Sequence, residues 1–196
     1  MLGPLTIEKL GRKYENLDSY IRQQLSSVIN TNLIKDKSFF LIGGSWRAIA
    51  KIHMQRIKYP LKIIQGYKVE SEKLKKTLEF IQDSSFLSKY DEMNISLERL
   101  ELLPQSARLL EIIIDELQVK TFTFSSFGVR EGLIYQQLTE VEKKKDPLIE
   151  AAKFFEKKES RFPKMSKHTF AWISPLYEGL PSKTKRVLLA ASKLHD

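Results

Sequence analysis

The chain has 196 residues, of which 42% are hydrophobic and 29% charged, enough to bury a core and far from the polar, highly charged composition of disordered chains. It contains no cysteine, which excludes a disulfide framework, a thiolate metal site and a cysteine nucleophile. No apolar run approaches the ~20 residues of a membrane helix and the N-terminus lacks a signal-peptide layout, so the reading is a cytoplasmic protein with no membrane partner. The net charge of +9 favours polyanionic partners without choosing among them, and positive charge is richest after residue 150.

In chain order, Asn16 to Ile29 carries apolar residues at helical spacing and predicts a helix. Ser38 to Ile42 (SFFLI) is a short apolar run ending at Gly43-Gly44, which predicts a strand buried on both faces. Ser45 is expected to cap a helix that ends near Ile57, ahead of Tyr59-Pro60. Leu61 to Val69 reads as a strand with a bulge at Gly66, and Ser71 opens another helix. Leu97 to Leu103 and Ser106 to Leu117 read as helices, with Pro104 near the start of the second. Lys120 to Ser125 alternates phenylalanine with polar residues, a strand pattern, and Arg130 to Val141 returns to helix.

From Asp146 onward only helices are predicted: one opening at Asp146-Pro147, one over Met165 to Tyr177 and one over Ser182 to Leu194. The charged run 142–147 ending in a helix-start proline places a domain boundary there, with 1–142 as an α/β domain and 143–196 as an all-α segment.

Strand, Gly43-Gly44-Ser45, helix is the most informative local feature. Glycines let backbone approach a ligand, and a fresh helix N-terminus offers unpaired N–H groups and partial positive charge, which suit a phosphate oxygen. A tight strand-to-helix turn with no ligand is the other reading. His53, His168 and His195 lie on different predicted helices without metal-ligand spacing. Glu111, Asp115 and Glu116 read as a solvated helix face, and Trp46 and Trp172 as packing residues.

The string FFLIGGSWRAIAKIHM with the following YPLKIIQGY, Glu98-Arg99 with Leu103-Pro104-x-Ser106-Ala107, and FSSFGVREGLIY from Phe124 to Tyr135 resemble ordered blocks of the exopolyphosphatase/guanosine-pentaphosphate phosphohydrolase (Ppx/GppA) family. Asp146-Pro147-Leu148, Ser160-Arg161-Phe162-Pro163 and the terminal Leu194-His195-Asp196 are similar to the opening of that family's HD-like helical domain. The resemblance implies part of a ribonuclease-H-like domain of the actin-like ATPase superfamily, the second such domain of the family, followed by an all-α segment. It implies hydrolysis of terminal phosphoanhydride bonds with a divalent metal, usually Mg2+, although no ligand for that ion is identified. Gly43, Gly44 and Ser45 match the family's late glycine motif near the phosphate cleft, and Arg130 and Glu131 its R-E-G element. Arg130 is a candidate phosphate clamp, because a planar guanidinium holds two phosphate oxygens at once; an ion pair within the domain is the alternative.

The family's D-x-G-S phosphate loop, its G-G-G-S loop and the catalytic glutamate have no counterpart in the sequence. The expectation is therefore an internal fragment, inactive alone, whose partners are polyphosphate or guanosine pentaphosphate and a complementary fragment or second copy. A non-catalytic polyphosphate- or protein-binding remnant is the alternative. Nucleic acid ranks last among partners, since no recognised motif and no interleaved exposed aromatics accompany the lysines. With a strand-1 neighbour missing, the strand Ser38 to Ile42 is expected to lie beside Lys120 to Ser125 and to leave one edge unpaired.

Overall fold

In a computed structural model, the residues described are 16–28, 39–83, 86 and 95–195. They divide into two units, Met1–Gly132 and Leu133–Asp196, with the division inside one helix. Among the described residues no helix is long and apolar enough to cross a membrane.

The first unit is built on three strands: β1 (Phe39–Ile42), β2 (Tyr67–Glu70) and β3 (Thr121–Ser125), in the order β1-β3-β2. β1 runs parallel to β3, with Phe39 opposite Phe122 and Leu41 opposite Phe124. The pairing of these two strands agrees with the sequence. β2 adds antiparallel to the far side of β3, with Tyr67 opposite Phe124, and the strand signal shrinks to four residues. Residues 61–64 are irregular, and Gly66, at φ +76°, sits in the turn that feeds β2 instead of forming a bulge. Among the described residues the other side of β1 makes no ladder.

Alternation explains the packing. Phe122 and Phe124 point to one face and are fully buried, together with Leu41, Tyr67 and Val69. On the opposite face Phe40 is 61% and Ile42 55% exposed. The expected strand buried on both faces is thus buried on one, because the helices that cover the sheet lie on the Leu41 and Phe124 side.

Those helices are α1 (Leu17–Val28), α2 (Gly44–Arg56), α3 (Ser71–Gln82), α4 (Leu97–Glu101) and α5 (Leu103–Leu117). α5 is the central one: Leu103, Ala107, Leu110 and Ile112 are fully buried, and its other core contacts come from Leu109, Ile114 and Leu117. Pro104 lies in its first turn, where a missing N–H costs nothing. Its acidic residues, expected on a solvated face, are ion-paired, Asp115 and Glu116 across helices and Glu111 within α5. Arg22 of α1 meets Glu116, Lys75 of α3 meets Asp115 at 3.0 Å, and Arg108 joins Asp18 of α1 to Glu111. His53 is buried in α2 with Nδ1 2.7 Å from Thr77 Oγ1. Burial, then the charges of Arg56 and Lys73, lower its pKa.

The predicted helix Arg130 to Val141 is two helices, α6 (Val129–Gln137) and α7 (Glu140–Lys143). Thr139 breaks it by a reciprocal cap: its hydroxyl accepts from the Glu142 N–H while the Glu142 carboxylate accepts from the Thr139 N–H at 2.9 Å.

The second unit continues with α8 (Pro147–Glu159), α9 (Met165–Ile173), a 3-10 turn (Ser174–Tyr177) that takes over the last four residues of the helix predicted over Met165 to Tyr177, and α10 (Ser182–Lys193). Asp146 caps α8 by accepting from the N–H groups of Leu148 and Ile149, and the Arg186 guanidinium of α10 grips the same carboxylate. That guanidinium, followed by the capped N–H groups, holds the Asp146 carboxyl at about 2. Lys193 of α10 donates to Glu156 of α8 at 2.8 Å, and Ser166 of α9 donates to the same carboxylate. Trp172 corrects the packing expectation: it is 83% exposed. Trp46 does pack, half-buried, against the core of the first unit.

Candidate functional site

The turn after β1 is held by glycine for a conformational reason. Gly43 has φ +138°, a region that L side chains rarely adopt. It is also the residue that precedes the first turn of α2, and its carbonyl accepts from the Arg47 N–H at 3.1 Å. Ser45 therefore does not cap the helix, as its position had suggested. It lies inside the first turn, and no side chain caps that end. The leading N–H groups of α2 keep the partial positive charge of an uncapped N-terminus.

Gly44 is small for a different reason. A Cβ placed on it would lie 3.3 Å from Nε, Cζ and Nη2 of Arg99, so the guanidinium of α4 lies directly over the start of α2. Arg47 and Lys51 project from the same side of α2, three and seven residues beyond Gly44. Together with Arg99 they border a groove of about 370 Å³ whose apolar wall is Ala48, Ile64 and Ile95. Arg47 Nη1 donates to the Ser126 carbonyl at 3.1 Å, which ties α2 to the segment after β3. Among the described residues, Arg99 and Lys51 have no ion-pair partner, and no carboxylate borders the groove.

The R-E-G element begins α6. Glu131 is engaged locally: its carboxylate accepts from the Gly128 N–H at 2.6 Å, closing the start of the helix. That bond, with its own backbone N–H and then the nearby Arg130 and Arg47, keeps its pKa below the usual carboxylate range. Arg130 is exposed on the first turn of α6 and does not border the groove. Of the five residues singled out by the sequence, Gly44 borders the groove, Gly43 and Ser45 flank it in the same turn, and Arg130 and Glu131 follow from Ser126 on its rim.

Arg47, Lys51 and Arg99 were not picked out by the sequence. Two of them had a signal: Arg47 and Lys51 are four residues apart on the helix that opens at Gly44, hence on one face. Arg99 stands in the Glu98-Arg99 block that carries the family resemblance, but its spacing did not tie it to the glycine turn, because only the fold brings α4 to α2.

A metal has no home in this donor set. Among the described residues no three His, Cys, Asp or Glu side chains gather, and a groove whose described charged residues are all cations repels Mg2+. What the arrangement can hold is an anion with several oxygens: guanidinium donors from two helices, an ammonium group and the positive end of α2 converge on it.

The Ppx/GppA phosphatase family model matches residues 2–141, and the chain belongs to that family. No curated protein matches the chain.

Proposed function

We propose that this chain serves the hydrolysis of terminal phosphoanhydride bonds, as an exopolyphosphatase or guanosine pentaphosphate phosphohydrolase, by supplying an anion-holding wall of the phosphate cleft. The observation that carries this reading is the groove where Arg47, Lys51 and Arg99 meet the uncapped start of α2. Phosphoryl transfer is catalysed largely by positioning and by stabilising charge on the transferred group, and these residues perform that task. The domain around them is taken as part of a ribonuclease-H-like fold, with 143–196 as the start of a helical domain and the cytoplasm as the compartment. No D-x-G-S string occurs in these 196 residues, and in this reading the groups that break the bond are supplied from outside them. The described residues do not fit a magnesium site of their own.

A binding-only role is favoured by one feature: among the described residues no carboxylate borders the groove to serve as a general base. Phosphate release separates the two. The purified chain with magnesium and polyphosphate or guanosine pentaphosphate should release none. Addition of a polypeptide carrying the D-x-G-S loop and the glutamate should start release. Turnover by the chain alone at about ten per second, the enzyme median, lost on changing one of its own residues, would overturn the division of labour. No release even with the complementary polypeptide would favour the binding-only role.

A further inference from the structure

We infer that Gln65, a residue outside the groove, is a positioning residue for Arg47: it fixes the backbone of Ser126, and the Ser126 carbonyl in turn sets where the Arg47 guanidinium lies. The inference rests on the anion-holding reading for its purpose and on hydrogen-bond geometry for its mechanism.

Strand register puts these groups in one row. β2 pairs antiparallel with β3 through Tyr67 opposite Phe124, and that register carried two residues further sets Gln65 opposite Ser126. β1 pairs in parallel through Ile42 opposite Ser125, which sets Gly43 beside Ser126 one residue later. Ser126 thus stands between the turn that starts α2 and the turn that starts β2. Neighbouring strands lie about 4.8 Å apart, so Gln65 is roughly two such spacings from the start of α2, and it does not border the groove. It can act there only through another residue.

The hydrogen bonds follow the row. Gly66, at φ +76°, donates its N–H to the Phe124 carbonyl at 3.0 Å and holds the turn against the end of β3. Gln65 Oε1 accepts from the Ser126 N–H at 2.8 Å and from the Ser125 hydroxyl at 3.2 Å. A backbone N–H only donates, so the oxygen end of the amide must face it. The Ser125 oxygen accepts in turn from the Phe127 N–H at 3.1 Å, and the Glu131 carboxylate from the Gly128 N–H at 2.6 Å. Three successive N–H groups beyond β3 are therefore held by side chains, and Gln65 ties down the first directly and the second through Ser125. The peptide between Ser126 and Phe127 is the one whose carbonyl accepts from Arg47 Nη1 at 3.1 Å. A guanidinium on a long flexible stem, bonded to a fixed carbonyl, has less freedom to lose when an anion arrives.

Nuclear magnetic resonance on the full chain without ligand tests the mechanism. In Gln65→Met the Ser126 amide should exchange several-fold faster with solvent, and the Arg47 Nε–H should become as mobile as that of the exposed Arg130. Gln65→Glu keeps the accepting oxygens and should leave both signals as in the parent. Gln65 is exposed, so melting temperatures should hold in both variants. An Arg47 side chain equally ordered in Gln65→Met and in the parent would overturn the inference. Titration with inorganic tripolyphosphate, without magnesium, tests the purpose. Gln65→Met should weaken binding about three- to tenfold, the scale of one hydrogen bond, and should weaken it no further in an Arg47→Met background. Losses that add in the double variant, or a Gln65→Met affinity equal to the parent's, would overturn action through Arg47. A parent chain that binds no tripolyphosphate would sink the anion-holding reading instead, and the resonance measurements would still decide whether Gln65 sets Arg47.

Discussion

The guanidinium of Arg99 rests on Gly44, with three of its atoms 3.3 Å from where a Cβ would stand. Gly44→Ala would push a flexible side-chain end and nothing rigid. The variant should melt within about 1 kcal/mol of the parent, since alanine is well suited to a helix, yet bind tripolyphosphate several-fold more weakly. Gly43→Ala should behave in the opposite sense. At φ +138° it should cost roughly 1–3 kcal/mol of backbone strain, seen as a lower urea midpoint. Equal effects of the two variants on stability would contradict the distinct roles given to the two glycines.

The core and the ion pairs of α5 should contribute very unequally. Leu110 is fully buried, and Leu110→Ala should cost about 2–5 kcal/mol through the cavity it leaves. Arg108 joins two carboxylates, but its side chain is 43% exposed, where solvent screening limits such contacts. Arg108→Ala should cost about 1 kcal/mol or less. Urea denaturation of both variants measures the ratio, and a larger loss for Arg108→Ala would show that the contact with α1 is worth more than its exposure suggests.

His53 should make the first unit sensitive to mild acid. Its native pKa lies below the ordinary 6.5 through burial, Arg56 and Lys73, so the unfolded chain binds this proton more readily than the folded one. The contribution is complete above about pH 6.5 and is lost as pH falls below that toward the lowered native value. Trp46 fluorescence in a Trp172→Phe background should report a urea midpoint that drops between pH 7.5 and 5.5. His53→Gln should flatten that slope, whereas a slope unchanged by this substitution would assign the effect to another group.

β1 should drive association. Its strand FFLI carries no charge and no proline, its outer ladder is unused among the described residues, and Phe40 and Ile42 are exposed beside it. Such an edge pairs readily with another chain. Light scattering after size exclusion should show concentration-dependent association, reduced by Phe40→Lys, which places a charge on the exposed face. A chain that is monomeric at every concentration and indifferent to Phe40→Lys would contradict this.

Periodicity carried the helices well because their apolar faces are wide: Leu103, Leu110 and Leu117 recur every seven residues, and each is buried. It failed where the governing contact was local and polar. Thr139 and Glu142 split a helix by hydrogen bonds that hydrophobic spacing does not register. Phe40 and Ile42 misled in another way, since an apolar residue on a strand does not say whether a second layer covers it. At the candidate site, the glycine pair was legible from the abrupt end of SFFLI, but the place of Arg99 over it was not, because it reaches Gly44 across more than fifty residues of chain.

The parallel alignment of β1 with β3 bears on how the chain reaches its native state. These strands meet only after roughly eighty residues between them have been gathered in, a closure that is entropically costly and slow. α8, α9 and α10 find their partners within a few tens of residues, through contacts such as Lys193 with Glu156. On the ribosome the second unit emerges after the first, yet it should be the quicker to acquire protection from exchange. The sheet of the first unit would close afterwards, with Phe122 and Phe124 the last large rings to leave water.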